Sequence, residues 1–246
     1  MSLKRKSPDF VLFITVMCLL SIGVIMILSA SEYKTLIYYN DSFYYFKRQL
    51  LWSLLGLTAM FIMINFDYRR LRKYIMPFLA VSFICLVLVL VPGIGREVGG
   101  ATRSIGIGPI PFSPAELVKL SIIIFTAYGL SRGRERVKDI RGIAPYLIVL
   151  ILACGLIMKQ PDLGTTLSLA GIVIIMIFAA GANLKHLGSI ALAGVLAVIS
   201  AIFLEPYRLK RLMAFRDPWA DPQDTGFQII QGLYAIGSGG LFGLGL

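Results

Sequence analysis

Two charged residues, Glu116 and Lys119, lie one helical turn apart in the otherwise apolar run of residues 115–125. A charge within a lipid-facing segment is costly, so such a pair indicates a functional site inside a membrane. Each residue also has a purely structural interpretation. Glu116 follows Ser113 in the pattern of a capping box, whereas Lys119 could simply pair with Glu116 or extend toward the membrane surface.

Arg103 precedes this run, in the glycine-rich segment of residues 99–108. Its forked guanidinium donates hydrogen bonds in the geometry that a phosphate or pyrophosphate group accepts. Neither helix capping nor pairing with a near neighbour explains an arginine at this position. The segment therefore predicts a loop that binds an anion.

Asp162 lies between two later apolar runs, in the sequence Lys-Gln-Pro-Asp-Leu-Gly-Thr-Thr of residues 159–166. It could cap the helix that follows. It could equally present a carboxylate at the same membrane depth as Arg103 and Lys119. The sequence alone leaves both interpretations open.

Residues 207–216 form a short basic segment with apolar residues at helical spacing. This pattern predicts a helix that lies in the membrane interface with its charges, Arg208 and Arg211 among them, facing headgroups. The helix could be a generic membrane anchor. An anionic ligand on the same side of the membrane would give its cations a more specific role.

The composition places all these residues in a bilayer. Hydrophobic residues make up 57% of the 246 residues, charged residues make up 15%, and the mean hydropathy is +0.81, which excludes an ordinary water-soluble domain. Apolar runs near the required length of about 20 residues predict about seven spanning helices. The predicted spans are residues 10–29, 49–64, 75–91, 115–130, 143–158, 163–180 and 187–204. The predicted fold is an all-α polytopic membrane protein, with a seven-helix transmembrane region at 1–204 and an extracellular interfacial loop at 205–246 that is expected to precede further helices.

The distribution of basic residues among the loops predicts the orientation of the chain in the membrane. With a cytoplasmic N-terminus, the inward loops hold 13 of the 24 Lys and Arg residues, as the positive-inside rule requires. These are Lys4, Arg5, Lys6, Arg69, Arg70, Arg72, Lys73, Arg132, Arg134, Arg136, Lys138, Arg141 and Lys185. Most of the net charge of +11 then faces anionic inner-leaflet lipid, and the scattered basic residues argue against nucleic-acid binding.

Ten basic residues face outward, where orientation gives them no role. These are Lys34, Lys47, Arg48, Arg96, Arg103, Lys159, Arg208, Lys210, Arg211 and Arg216. An anionic ligand on the outer side would explain their presence.

The sequence identifies no cofactor or metal site. Cys18, Cys85 and Cys154 lie far apart within predicted spans, and the single histidine, His186, adjoins a lysine in a predicted turn. The aspartates of residues 217–224 lie among prolines, which favours turns over a cation site. The many glycines of residues 226–246 predict backbone packed closely against other helices, or a partly embedded loop.

Ordered motifs run the length of the chain. They are Ser7-Pro-Asp through Ser29-Ala-Ser31, Phe46-Lys-Arg-Gln49, Gly99-Gly-Ala-Thr-Arg103, Pro114-Ala-Glu-Leu-Val-Lys-Leu120, Gln160-Pro-Asp-Leu-Gly-Thr165, Pro206-Tyr-Arg-Leu-Lys-Arg211, Asp217-Pro-Trp-Ala-Asp-Pro222 and Gly226-Phe-Gln-Ile-Ile-Gln. In this combination the chain resembles the SEDS family (shape, elongation, division and sporulation), and most of all its division and sporulation branch. It departs from the family at Ser104 and Ser113, where Trp and Gln are usual.

The resemblance implies about ten spanning helices in intact members. It also implies an outward-facing site in the bacterial plasma membrane that polymerises peptidoglycan glycan strands from lipid II, beside a class B penicillin-binding protein, during cell division or sporulation. The substrate-binding residues implied are Arg103, Glu116, Lys119, Gln160, Asp162, Arg208 and Arg211. The family's catalytic Asp, in a Thr-Asp-Phe motif, is expected beyond Leu246, so no catalytic residue is assigned within this chain. The family also admits a divalent metal, for which no residue here can be nominated.

The implied chemistry fits the residues present. Glycosyl transfer from a lipid pyrophosphate needs a base to take a proton and cations to stabilise the departing pyrophosphate. This chain supplies the cations, which predicts the substrate-cradling part of a polymerase. Two alternatives remain: a transporter of lipid-linked precursor, which would need polar residues reaching the site from both faces, and a non-catalytic scaffold that recruits a penicillin-binding protein.

Overall fold

The computed structural model describes residues 9–98, 101–107, 110–133, 135–240 and 243. All seven predicted spans are helical in it. The helices are α1 Phe10–Tyr39, α2 Tyr44–Asn65, α3 Ile75–Leu88, α4 Pro114–Arg132, α5 Ile140–Met158, α6 Leu163–Ala179 and α7 Leu184–Phe203. Among the described residues, six helical segments are long and apolar enough to cross a membrane, and α6, with 17 residues, is shorter. The prediction of an all-α polytopic membrane protein is confirmed.

Two further helices follow the predicted spans. They are α8 Pro206–Arg216 and α9 Phe227–Gly239. Three short 3-10 helices, Tyr68–Tyr74, Arg136–Lys138 and Pro218–Ala220, occupy connections. The helix predicted for the basic segment 207–216 is therefore present, and in the glycine-rich segment Phe227–Gly239 form a helix where an embedded loop was one expectation.

The chain divides into two compact units. One contains Met1–Asp67 and Ala214–Leu246, and the other contains Tyr68–Met213. The second unit holds every predicted substrate-binding residue. Its core lies among α3, α4, α5 and α6, where Leu86, Val118, Ile122, Ile157 and Val173 are fully buried.

A polar contact inside this core fixes α3 against α4. The hydroxyl oxygens of Ser82 and Ser121 lie 2.7 Å apart, and both residues are almost completely buried. Each hydroxyl also lies within hydrogen-bond distance of a carbonyl of its own helix, Ser82 of Leu79 and Ser121 of Val118, so one hydroxyl donates across the contact while the other donates to its own helix. The contact satisfies polar groups that lipid could not satisfy.

The glycine-rich segment before α4 is a small antiparallel sheet, so the prediction of a loop is wrong. Its strands are β1 Gly95–Val98, β2 Ala101–Ile107 and β3 Ile110–Phe112, in the order β1-β2-β3. Residues 99–100 and 108–109 lie outside the described residues. Gly95 allows β1 to begin close to the end of α3, because a Cβ there would collide with the carbonyl oxygen of Val89. The sheet holds Arg103 in the middle of β2.

The first unit contains the α1–α2 hairpin. Asp9 caps α1 by accepting hydrogen bonds from the amides of Val11 and Leu12, at 3.0 and 3.2 Å. Asp41 lies between the helices, and the Lys47 ammonium, 2.9 Å from its carboxylate, lowers the pKa of that carboxyl below its usual value.

The aspartates of residues 217–224 are turn residues, as predicted. Asp217 accepts a hydrogen bond from the amide of Trp219, and Asp221 accepts one from the Thr225 hydroxyl. Gly226 is required by this turn, because a Cβ would collide with the carbonyl oxygen of Pro218.

The glycines of α9 do not behave as the sequence suggested. A Cβ added at Gly232, Gly237 or Gly239 would meet no atom within 4 Å in the described part of the chain. The expected close packing of backbone is therefore not found at these three positions among the described residues.

Candidate functional site

Arg103 and Asp162 meet across a long interval of sequence. Strand β2 carries Arg103 to the turn between α5 and α6, where its Nη2 donates a hydrogen bond of 3.2 Å to the carbonyl oxygen of Pro161, 58 residues away. Its Nε lies 3.7 Å from the Asp162 Oδ2. This distance makes an ion pair without a hydrogen bond, and Nε has no hydrogen-bond partner among the described residues. The side chain stays 43% exposed, so the guanidinium is held at one edge and open to a ligand.

Asp162 performs the capping role that its sequence allowed. Its Oδ1 accepts a hydrogen bond of 3.0 Å from the amide of Thr165, and its Oδ2 accepts one of 2.9 Å from the Thr165 hydroxyl. The cap explains why α6 begins at the next residue, because it satisfies one of the free amides of the first turn. The same carboxylate also faces Arg103, so Asp162 is both a helix cap and the counter-charge of that guanidinium.

Gln160 is the most deeply buried polar residue of this turn, with 1% of its surface exposed. Its Nε2 donates a hydrogen bond of 3.3 Å to the carbonyl oxygen of Leu86, at the end of α3. Its Oε1 has no partner among the described residues. Gln160 lines a cavity of about 520 Å³ together with Thr102 and Lys159. A buried amide oxygen with no donor lowers the stability of the fold by about 1–3 kcal/mol. Such an oxygen in a cavity wall is therefore available to accept a hydrogen bond from a ligand in the cavity.

Lys119 and Glu116 form a separate pair on α4. The Lys119 ammonium lies 2.9 and 3.0 Å from the two carboxylate oxygens. Lys119 is 23% exposed, whereas Glu116 is 66% exposed. The lysine is therefore partly shielded, and its counter-charge faces the surroundings.

The capping-box interpretation of Glu116 is wrong. Ser113 is the N-cap of α4, but its side chain makes no capping hydrogen bond. The backbone amide of Glu116 donates instead to the Ser113 carbonyl oxygen at 3.2 Å. The Glu116 carboxylate turns to Lys119 because an ammonium is a stronger partner than a neutral backbone amide.

Arg208 and Arg211 interact with residues close to them in the sequence. Arg208 donates a hydrogen bond of 2.8 Å to the carbonyl oxygen of Ala201, and the Arg211 guanidinium lies 5.2 Å from the centre of the Tyr207 ring. Within the described residues, neither is in contact with Arg103, Lys119 or Gln160. The structure thus unites Arg103 with the turn at 160–162 and leaves the other predicted residues as separate groups.

The sheet and the cavity beneath it were missed by sequence reasoning. Thr102, Gly95 and residues 89–93 line this cavity, and none of them was proposed for the site. A signal was present, because β-branched residues in 101–107 with glycines on either side are typical of a short hairpin strand.

Comparisons with known proteins agree with this architecture. The profile of the FtsW/RodA/SpoVE family, described as cell cycle proteins, matches residues 10–246. The chain belongs to this family. It is 42% identical over its whole length to stage V sporulation protein E of Bacillus subtilis, and 40% identical over 97% of its length to a probable peptidoglycan glycosyltransferase FtsW of Trichlorobacter lovleyi. It spans 68% of the first relative and 63% of the second.

Solved structures of related proteins share the fold. One, described as a peptidoglycan synthase complex that coordinates polymerization and crosslinking, contains a chain with a TM-score of 0.73 and 31% identity, over 95% of this chain and 66% of that one. The rod shape determining protein RodA of Thermus thermophilus matches with a TM-score of 0.55 and 26% identity, over 87% of this chain and 83% of that one. This FtsW/RodA/SpoVE family chain is therefore a membrane-embedded protein.

Proposed function

We propose that this chain binds lipid II from the outer side of the bacterial plasma membrane. It would form the substrate-cradling part of a peptidoglycan glycosyltransferase that acts in division or sporulation. The observation that carries the proposal is the Arg103 guanidinium, held by the turn at 160–162 yet 43% exposed. Its relatives named FtsW and SpoVE support the reaction class.

The proposed role of Arg103 is to bind the pyrophosphate of the lipid donor. Negative charge develops on this group as the sugar is transferred, and a fixed guanidinium stabilises that charge with little reorganisation. The turn at Pro161 and Asp162 holds one side of the guanidinium, which lowers the entropy lost on binding.

Lys119 is proposed as the second cation. Its ammonium is paired with the more exposed Glu116, whose carboxylate a lipid phosphate could displace. Glu116 would then hold Lys119 in position before substrate arrives. Gln160 is proposed to accept a hydrogen bond from the substrate through its unpaired Oε1. Asp162 is proposed to hold Arg103 in position for the same substrate. Arg208 and Arg211 are proposed to contact the lipid headgroup region.

A lipid II binding assay tests this role. The purified chain in nanodiscs is titrated with fluorescent lipid II, and Arg103→Ala and Lys119→Ala are each expected to weaken binding about ten- to a hundredfold, because each removes a charge-assisted hydrogen bond. Arg141→Ala, which removes an exposed charge at the opposite predicted face, is the matched control and should change binding less than about twofold. Wild-type affinity in a well-folded Arg103→Ala, Lys119→Ala double variant would refute the role.

The same preparation separates binding from chemistry. We expect residues 1–246 to bind lipid II without forming glycan chains, because a general base must be held in place. Asp162 is engaged as a helix cap, and Glu116, 66% exposed, has no partner other than Lys119 among the described residues to hold it once a phosphate has displaced it. Glycan chains formed by this chain alone would show that one of these acids serves as the base.

A class B penicillin-binding protein is the proposed partner. Support comes from the related chain of the peptidoglycan synthase complex, an assembly that coordinates polymerization and crosslinking. Co-purification of the two proteins from a membrane extract, with a penicillin-binding protein of another class as control, tests the pairing. Equal recovery of both would contradict the class assignment.

A further inference from the structure

A groove lies between the 3-10 helix Tyr68–Tyr74 and the C-terminal half of α4. Its volume is about 440 Å³. Half of its lining residues are aliphatic, and the others are Tyr68, Arg69, Arg72, Tyr128 and Ser131, with Arg132 on α4 directly after this lining. The aliphatic lining residues are Leu71, Ile75, Ile123, Ile124 and Ala127. We call this feature the arginine groove.

Two arginines share one tyrosine ring at this groove. The guanidinium carbon of Arg72 lies 5.5 Å from the centre of the Tyr128 ring, and that of Arg132 lies 4.7 Å from it. Both arginines are exposed, and neither takes part in an ion pair in the described part of the chain. Two unpaired cations at one ring make the potential at this end of the groove positive, which favours an anion there.

We propose that the arginine groove binds one anionic glycerophospholipid. Its phosphate would accept hydrogen bonds from the guanidiniums of Arg72 and Arg132, and one acyl chain would lie along Ile123 and Ile124. The ligand class follows from the two kinds of surface that meet here, a pair of cations at the rim and an aliphatic wall in a membrane-embedded helix pair. A free phosphate would leave the aliphatic wall unused, and a zwitterionic lipid would bring a like charge to the arginines.

Position along the helices separates this site from the proposed lipid II site. Arg132 is the last residue of α4, whereas Glu116 and Lys119 lie in its first turns. At a rise of about 1.5 Å per residue, the two ends of this helix are about 25 Å apart, close to the thickness of the bilayer core. The proposed phospholipid would therefore occupy the opposite leaflet from the proposed lipid II headgroup.

Native mass spectrometry of the detergent-solubilised chain tests the proposal. The protein is titrated with dioleoyl phosphatidylglycerol or with dioleoyl phosphatidylcholine, and the first binding event is quantified. We expect the phosphatidylglycerol to bind more tightly, and Arg72→Gln and Arg132→Gln each to weaken it about three- to tenfold. Arg141→Gln removes the same charge from an exposed position that does not line the groove, and we expect less than a twofold change.

A second pair of variants tests the acyl-chain contact without changing charge. Ala127→Trp fills the groove and should weaken phosphatidylglycerol binding, whereas Ile151→Trp, at a position 68% exposed on α5, should not. Unfolding midpoints of all variants are compared with the parent, so that only folded protein is scored.

Three outcomes would overturn the proposal. Equal losses in Arg72→Gln and Arg141→Gln would mean that the attraction is diffuse. Unchanged binding in Ala127→Trp would mean that the groove holds no acyl chain. Competition by glycerophosphoglycerol at the same concentration as the lipid would mean that a headgroup alone suffices.

Discussion

The two ends of α4 use basic side chains in different ways. At its N-terminal end, Lys119 meets the Glu116 carboxylate at 2.9 Å, and in the same unit Arg103 meets Asp162 at 3.7 Å. At its C-terminal end, Arg72 and Arg132 meet the ring of Tyr128 instead of an acid. Both ends therefore use lysine or arginine side chains, but the first end pairs them with carboxylates and the second places them against an aromatic ring.

The difference shows how a carboxylate and a tyrosine prepare a cation for different ligands. A carboxylate holds the cation in place and can be displaced by a stronger anion, so pairing favours exchange with a substrate. A tyrosine ring holds a guanidinium through its face and leaves the full charge available, which favours steady binding of a lipid phosphate. We therefore infer that one end is built for turnover and the other for anchoring.

The largest expected effect is in the sidedness of the two ends. In a version with Cys18, Cys85 and Cys154 replaced by alanine, a membrane-impermeant maleimide added outside intact cells should label Arg96→Cys and leave Lys138→Cys unlabelled. Both positions are exposed, and the positive-inside rule places them on opposite faces. Ser104 would be a poor probe, since only 6% of its surface is exposed.

Permeabilised cells provide the control for this experiment, because both cysteines should then react. Labelling of Lys138→Cys in intact cells, without Arg96→Cys, would invert the orientation. The proposed outward site would then face the cytoplasm.

The helices could be predicted from the sequence because lipid imposes a simple requirement on them. A run of apolar residues that must satisfy its own backbone in a bilayer forms a helix, so each of the seven spans was found. The sheet was missed because its strands are short, and pairing between strands such as β1 and β2 depends on contacts that composition does not reveal. The segment at 226–239 was misinterpreted because glycines that pack against nothing in the described chain look the same in sequence as glycines that pack closely.

The candidate site shows the same division between local and distant contacts. The Lys119 pair with Glu116 and the Asp162 cap involve neighbours three residues apart, and the sequence named both as interpretations. The contact of Arg103 with the turn at Pro161 depends on where β2 is placed, which required the fold. The sequence named candidate residues for the site but could not say which of them touch.

Variants of Gln160 test the proposed substrate site around Arg103 and the turn at 160–162. Gln160→Met keeps the side-chain length, removes the unpaired Oε1 and loses the hydrogen bond to the Leu86 carbonyl. The gain of about 1–3 kcal/mol and the loss of about 0.5–1.5 kcal/mol nearly cancel, so the free energy of unfolding should stay within about 1.5 kcal/mol of the parent or rise. Lipid II binding should nevertheless fall about three- to tenfold, if Oε1 accepts a hydrogen bond from the ligand.

Paired measurements of unfolding and of lipid II binding check this expectation. Gln160→Glu is the companion variant, because it retains an acceptor but places a negative charge near the proposed pyrophosphate. Loss of stability with unchanged binding in Gln160→Met would assign the residue to the structure of the turn alone.

The smallest effect is expected at Asp162, where two roles of one carboxylate can be separated. Asp162→Asn keeps an oxygen to accept the Thr165 amide but removes the charge that faces Arg103. Asp162→Ala removes both. Loss of an N-cap costs about 1 kcal/mol, whereas an ion pair with a partner as exposed as Arg103 contributes about 0–1 kcal/mol and weakens with salt.

We therefore expect the alanine variant to lose about 1 kcal/mol of unfolding free energy and the asparagine variant to lose less than about 0.5 kcal/mol. Thermal unfolding of the solubilised protein at low and high salt measures both. If the asparagine variant loses as much as the alanine variant, and if the loss disappears in high salt, the ion pair would be the dominant contribution. Arg103 would then be a structural partner of α6, and the case for an exchangeable cation would rest on Lys119.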